Sequence, residues 1–443
     1  KSHAPYIYVG LAILTCLILY MYSLNKSKFG FSMIAVRENE DAAKASSIKP
    51  IYVWIKANII SAVFMSLAGT LHAQYVSYLD PHSVLGQGMA VKIALYAIIG
   101  GLGTVVGPLL GALIMVPVEV IFRMSFGQQI TGLNMAVYGV FLIIFVLFAR
   151  DGLIAIIKDL HKKWRKRRKR KQSRIAEDRS PSTTITPYVC DINRAARNAS
   201  SNEIVFRIEH LSKQFGGLLA VKDFNLEVHQ GEVVGLIGPN GAGKTTLFNI
   251  STGFIPLTDG SVYVGEKQIQ NPKPWTLCEN GVVRTFQLVK PFKKLSILDN
   301  VVIGAYAKAE NYQEAKSKAL EVIDFIGLKS RIDTPVSELT VSELKKLEFA
   351  RALATDPKVI LLDEVMSGLT PTEGSEMYSI IDSVAEQDIA LVIVEHVMQV
   401  IARCCDRVFV MNFGETITSG PYSSVIEDPR VIEAYLGGRH VRA

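Results

Sequence analysis

Residues 238–246 read GPNGAGKTT, directly after 232–237, a buried, β-rich run. The segment fits the spacing G-x-x-x-x-G-K-[ST] at Gly238, Gly243, Lys244 and Thr245, with Asn240, Gly241 and Thr246 completing the loop. Glycines let successive backbone N–H groups turn inward around phosphate oxygens, and a following helix points its positive end at them. The spacing predicts that helix over 244–252. Lys244 is then placed to reach the β- and γ-phosphates of a nucleotide, and the Thr245 hydroxyl to ligate magnesium. Short strands are expected before the loop at 204–208 and 224–228, so the surrounding fold is an open α/β sheet.

Two further strands end in chemistry. VILLDE (359–364) is an apolar strand that closes on Asp363 and Glu364. Asp363 is placed to hold the metal, directly or through water, and Glu364 to polarise an attacking water as a general base. Residues 389–394 form a second apolar strand that ends in Glu395 and His396. In open α/β sheets such strand ends are where ligand chemistry gathers.

Composition separates this part from the rest. Hydrophobic residues make up 49% of the 443, and their long runs crowd the first 150 positions, so a membrane part and a soluble part are expected. Residues 6–24 are apolar over a bilayer's length, and 51–71 are again apolar apart from Lys56, Asn58 and Ser61. Between them, 25–50 carries five Lys/Arg and belongs inside, whereas 72–88 has none and suits the outer face. Residues 89–124 are too long for one span and are broken by Gly100, Gly101, Gly103, Gly107 and Pro108. A last crossing is expected at 134–149, followed by the basic run HKKWRKRRKRK at 161–171. That run belongs inside only if 89–124 forms a hairpin. The segment MIAVRENEDAAKASSI (33–48) is expected to form one short amphipathic helix on the cytoplasmic side, its alternative being a plain solvated loop helix.

The net charge of +7 is concentrated in the basic run, which fits anionic lipid headgroups better than nucleic acid; no nucleic-acid partner is expected. Polar residues 172–202 read as a flexible linker. Of the five cysteines, Cys16, Cys190, Cys278, Cys404 and Cys405, none has metal-ligand spacing, and reduced thiols are expected. The opening Lys1 points to residues before it. The chain therefore divides into an α-helical membrane domain (1–160), a basic flexible cytoplasmic linker (161–202) and an α/β nucleotide-binding domain (203–443).

The order of these motifs resembles the ATPase of ABC transporters, over essentially all of 203–443. The resemblance implies that Phe215, in KQFGG, stacks on adenine, and that Gln287, in RTFQ, senses magnesium and the transport domain. It makes His396 the switch histidine at the γ-phosphate and LTVSE (339–343) the counterpart of the LSGGQ segment. More narrowly, RTFQLVKPFKKLSILDNV, ARALATDPKVILLDEVMSGL and DPRVIEAYLG resemble importers of branched-chain amino acids. AVRENEDAAKA, IIGGLGTVVGPLLGALI and FARDGL are similar to the second half of that family's permease, hence a partial permease fused to its ATPase. The resemblance implies ATP and Mg²⁺ as cofactors and 33–48 as the coupling helix, docking near Gln287. It also implies a second permease subunit, a second ABC ATPase, an extracellular or periplasmic solute-binding protein and membrane lipids as partners. The place is the plasma (inner) membrane, multi-pass, with the ATPase cytoplasmic.

Two departures stand out. LTVSE lacks both glycines, and Thr370 stands where the family has Asp after SGL. Family ATPases pair head to tail, so this segment faces the partner's nucleotide, where Thr340 and Ser342 would offer hydroxyls to phosphate. An asymmetric pair is expected, with the site on Lys244 hydrolysing ATP and the partner's site weaker. The alternatives are an importer of urea, short amides or another small polar solute, and a regulatory nucleotide-binding subunit with weak turnover.

Overall fold

The computed structural model describes residues 4–76, 87–126, 139 and 203–436. The expected crossing at 134–149 (Gly139 apart), the basic run, the linker and Cys190 lie outside the described residues, as do 77–86 of the expected outer segment. Two compact units emerge, one of Lys1–Leu24 with Ile60–Ile192, the other of Asn25–Ile59 with Asn193–Ala443.

In the first unit, α1 (Ala4–Asn25) has no buried residue and no charge. Its 22 residues rise about 33 Å, a bilayer's thickness. Exposed Ile7, Tyr8, Leu11 and Leu19 along it suit lipid rather than water. With the helix Pro50–Val76, α4, it is one of two described helices long and apolar enough to cross a membrane. The glycine-broken stretch folds as the expected pair of helices, Gln87–Gly100 and Gly107–Phe126. Glycine is required at their contact: a Cβ on Gly100 would fall 1.7 Å from the Gly107 carbonyl oxygen, and one on Gly111 1.9 Å from that of Tyr96. Backbones meet that closely only where side chains are absent.

The second unit begins with a correction. Residues 33–48 do not form one helix but parts of two, α2 (Lys28–Glu38) and α3 (Glu40–Ala45). Asn39 is extended between them and accepts the Ala42 N–H on Oδ1 at 2.9 Å, so an N-cap interrupts the periodicity. Ala35, Ala42 and Ala43 are fully buried in the core that also holds Val301, Val302 and Ile303. This is why 25–59 clusters with the soluble residues. The two helices after α4 are α5 (Gln87–Gly100) and α6 (Gly107–Phe126).

Beyond residue 203 lie two sheets. β1 (Ile204–Phe215), β2 (Leu218–His229), β4 (Asp259–Val264) and β5 (Lys267–Gln268) make an antiparallel sheet in the order β2-β1-β4-β5. β3 (Val233–Ile237) enters the larger sheet, with β6 (Val282–Arg284), β7 (Val359–Asp363), β8 (Ala390–Val394), β9 (Arg407–Asn412) and β10 (Glu415–Gly420). Its order is β10-β9-β3-β8-β7-β6, parallel except at β10. β3, β7 and β8 are buried along their whole length, which explains their continuous apolar sequences. Between the sheets Phe206, Phe224 and Phe248 are fully enclosed, each contributing about 1.5–3 kcal/mol of burial.

Candidate functional site

The site lies at the C-terminal ends of β3, β7, β8 and β6, where open α/β sheets form ligand crevices. After β3 the chain turns through Gly238 (φ 153°) and Gly243 (φ 101°) into α7 (Lys244–Ser251). Any Cβ at these positions would strike backbone, the Met411 oxygen at 2.2 Å and the Ala220 oxygen at 2.5 Å. The glycines are therefore dictated by close packing as well as by backbone sign. Lys244 Nζ donates to the Gly238 and Pro239 carbonyls at 2.6 and 3.0 Å, folded over its own loop. Burial lowers its ammonium, while the charges of Glu364 and Asp363 oppose that.

Three neighbouring strands deliver three side chains to one point. The β7/β8 register pairs Asp363 with Val394, and the Glu364 N–H extends the ladder by donating to the Val394 carbonyl at 2.9 Å. Glu364 therefore sits beside the strand end from which His396 follows. Gln287 comes from just beyond β6, whose neighbour Thr285 donates to Leu361 at 2.9 Å. Gln287 Nε2 donates to Glu364 Oε2 at 2.9 Å, and His396 Nε2 lies 2.8 Å from Oε1. Both oxygens of the candidate base are thus oriented. Glu364 has φ 50°, left-handed for a non-glycine residue, a conformation that costs about 1–3 kcal/mol unless its surroundings impose it.

The pocket at this point has a volume of about 540 Å³. Asn240, Gly241, Gly243, Lys244, Thr245 and Thr246 line it together with Gln287, Glu364 and His396. Leu218, Leu219 and Phe413 give it an apolar side. Phe215 is not among its lining residues. It is half exposed, with the Lys213 ammonium 5.0 Å from its ring. The aromatic ring that borders the pocket is that of Phe413, which sequence reasoning missed.

Asp363 is buried behind the pocket, and burial raises its carboxyl above the usual range. Arg284 donates to it at 3.3 Å and to Asn249 at 2.7 Å, so a buried guanidinium holds the acid in place. The donors gathered here are a threonine hydroxyl, carboxylates and a side-chain amide, all hard oxygens that suit magnesium. A divalent cation would also offset the adjacent acids Asp363 and Glu364. Thr245, Gln287 and Asp363 are the residues that would hold it, directly or through water.

Lys345 has nothing in its sequence setting to mark it, and Glu395, noted only as a strand end, was given no role. Lys345 is buried, and its ammonium donates to the carbonyls of Glu364 at 2.9 Å and Val365 at 3.0 Å. Glu395, also buried, accepts the Met366 N–H at 2.7 Å. Together they pin the backbone from Glu364 to Met366.

The LTVSE segment begins a helix. The helix there, α9 once α8 (Ile297–Ala305) is assigned, spans Val341–Leu353 and so contains VSE. Thr340 is its N-cap, in a reciprocal capping box with Glu343. Ser342 is only 6% exposed, which removes its hydroxyl from the surface, whereas Thr340 is exposed and Val341 is 55% exposed. Thr370 likewise caps a helix, α10 (Pro371–Ala385), through a capping box with Glu373.

The helix pair α2–α3 reaches the same region. Lys290, three residues beyond Gln287, pairs with Asp41 at 2.7 Å, and Lys49 pairs with Glu279 at 2.8 Å. Phe31 stacks on Tyr312 at 6.0 Å.

Comparison with known proteins places this geometry. Residues 221–367 match the family described as ABC transporter, and 415–441 the family described as branched-chain amino acid ATP-binding cassette transporter. Residues 2–147 match the branched-chain amino acid transport system permease component. A probable branched-chain amino acid transport ATP-binding protein LivG of Methanocaldococcus jannaschii is 32% identical over 250 residues, 53% of this chain and 97% of that protein. The high-affinity LivG of Escherichia coli K12 is 33% identical over 246 residues, 52% of this chain and 96% of that one. BraF of Pseudomonas aeruginosa is 31% identical over 249 residues, 53% of this chain and 98% of its own. A crystal structure of an ATP-binding cassette of an ABC transporter in its ADP conformation aligns with 53% of this chain at 32% identity, covering 99% of that chain, with a TM-score of 0.49.

Proposed function

The chain belongs to the branched-chain amino acid family of ABC transporters, with a permease region and an ATPase on one polypeptide, and from this we propose that it drives import of branched-chain or related amino acids by hydrolysing ATP. The observation that carries the reading is the Glu364 carboxylate, oriented by Gln287 and His396 at the mouth of the GPNGAGKTT loop, on a chain whose residues 2–147 match a permease component.

In this mechanism loop N–H groups and Lys244 bind the phosphates of ATP. Magnesium, when bound, neutralises charge on the β- and γ-oxygens. Glu364 accepts a hydrogen bond from the attacking water and then its proton, and His396 and Gln287 keep its two oxygens aimed. Lys345 and Glu395 hold the turn that places it. Phosphoryl transfer asks for positioning and charge stabilisation rather than covalent chemistry, and these groups supply both. Gln287 and Lys290 sit on one segment, so a change at the pocket reaches Asp41 and α3 through a short rigid path, consistent with α2–α3 as the coupling element.

The partners in this reading are a second permease subunit, a second ABC ATPase, a solute-binding protein outside the cell and the lipid of the plasma (inner) membrane, crossed several times. The segment facing the partner's nucleotide supports an asymmetric pair. Its first-turn Glu343 N–H is already taken by Thr340, and the Val341 side chain stands where a glycine would leave room for phosphate. The direct test is uptake of labelled leucine into vesicles holding the full chain and its co-assembled subunits. ATP-dependent uptake of leucine but not urea is expected. Uptake of urea in preference to leucine would move the cargo to small polar amides.

A further inference from the structure

The hairpin of α5 and α6 contains charges that its packing does not need. Gly100, Gly107 and Gly111 already bring the two backbones into contact, and the facing surfaces are otherwise apolar. Yet Lys92 of α5 forms an ion pair with Glu119 of α6, and the Tyr96 hydroxyl donates to the second oxygen of Glu119 at 2.7 Å. Glu119 is the sole acidic residue among α1, α4, α5 and α6. Charges at membrane depth are costly, and they mark solute or ion paths unless something else requires them. The hairpin also has the form expected at such a path. α5 breaks into non-helical backbone at Gly101–Val106 before α6 begins. Non-helical backbone at that depth is tolerated where it is enclosed by protein or lines an aqueous path, and interrupted helices point to solute sites in transporters.

We propose that Lys92 and Glu119, with Tyr96, form a cargo-binding site for the zwitterionic head of an α-amino acid. The Lys92 ammonium takes the cargo carboxylate, and Glu119 takes the cargo ammonium. Tyr96 holds the remaining oxygen of Glu119. The exchange is neutral: one ion pair opens, two form, and net charge in the low-dielectric region stays at zero. A zwitterion can therefore enter where a lone charge could not. The pair is not sealed, since the Lys92 and Glu119 side chains keep 39% and 19% of their exposure. Urea, with no formal charge, would have no reason to open it. The inference rests on the import reading above and names the groups that recognise its cargo.

The experiment uses the full chain in vesicles with its co-assembled subunits and reads ATP hydrolysis with and without L-leucine. Lys92→Met and Glu119→Gln are compared with the charge-reversed pair Lys92→Glu/Glu119→Lys, which keeps an ion pair across the hairpin. The single variants are expected to lose leucine stimulation at least tenfold while leucine-independent turnover stays within about twofold. The reversed pair is expected to restore the thermal melting point of the chain but not its leucine stimulation, because the head group would have to bind the other way round. Recovery of full leucine stimulation in the reversed pair would overturn the proposal and make the ion pair a strap between helices. Unaltered stimulation in the single variants would overturn it too. A wild-type chain that ignores leucine but answers to urea would instead remove the import reading on which the proposal stands.

Discussion

Glu364 occupies a backbone conformation that its own side chain disfavours, and the residues around it explain why it stays there. Its N–H, its carbonyl and both carboxylate oxygens are engaged, by Val394, Lys345, Gln287 and His396. Glu364→Gln keeps that shape but removes the base, so turnover should fall about 10²–10⁴-fold while ATP affinity changes little. A fluorescent nucleotide titration beside a phosphate-release assay separates the two. The acids of this region also set a pH dependence. Burial raises Glu348 to about 7, and raises Asp363 and Glu395 above their usual range. A raised carboxyl binds protons in the native state that the unfolded chain has lost. Its contribution is therefore complete below about pH 4.5 and fades as pH climbs to about 7. The melting temperature of the full chain should fall between pH 5 and 7, and Glu348→Gln should flatten that slope. An unchanged slope in the variant would assign it to other groups. At this scale the sequence was informative where a motif has fixed spacing. Gly238, Lys244, Thr245, Asp363 and Glu364 were legible because strand, loop and chemistry coincide. Lys345 and Phe413 were not, since a lone lysine on a helix and a lone aromatic after a strand have no signature. The role of Phe215 came from resemblance alone, and its half-exposed ring lies outside the lining of this pocket.

Among the elements, the helix pair α2–α3 shows how one residue redirects a pattern. Residues 33–48 have the periodicity of a single amphipathic helix, but Asn39 competes for the backbone and begins a new one. Asn39→Ala should cost about 1 kcal/mol of stability, measured by thermal or denaturant melts of the full chain. Loss of the cap alone should leave ATP binding intact. Asp41→Asn is a separate case, because it cuts the ion pair to Lys290 without touching the cap. Its expected effect is on coupling: basal hydrolysis kept within about twofold, solute-dependent stimulation reduced several-fold. Equal loss of both activities would place Asp41 in the folding of the ATPase instead. The glycine-broken hairpin was legible in advance, because Gly100, Gly101, Gly103, Gly107 and Pro108 interrupt the apolar run and the basic run at 161–171 belongs inside only if the chain turns back there. The LTVSE segment was not. Its role came from resemblance alone, and the reciprocal Thr340–Glu343 bonds that start a helix there were not anticipated.

For the whole molecule, the sequence divides the chain by composition, whereas packing divides it by contact. Residues 25–59 are flanked by membrane helices in sequence, yet Ala35, Ala42, Ala43 and Phe31 belong to the same core as Val301, Val302, Ile360 and Leu362 of the α/β unit. Composition could not reveal this, because alanine and phenylalanine suit either setting. The consequence is functional: the element expected to transmit motion to the transport path is built into the ATPase. The thiols fit the same picture of a packed soluble unit. Burial pushes the Cys278 thiol up to about 12, so it should resist maleimide at pH 8 in the folded chain, as read by mass spectrometry of its peptide. Rapid labelling there would contradict the packing around β6.

The central claim is that this chain's own Glu364 site powers amino-acid import. It is tested most directly by ATP hydrolysis in vesicles that hold the full chain, its co-assembled subunits and the solute-binding protein, with and without leucine. The account predicts leucine stimulation that disappears in Glu364→Gln. Leucine-stimulated turnover that persists undiminished in Glu364→Gln would contradict it, and would leave the work to the partner's site and this chain as the regulatory half.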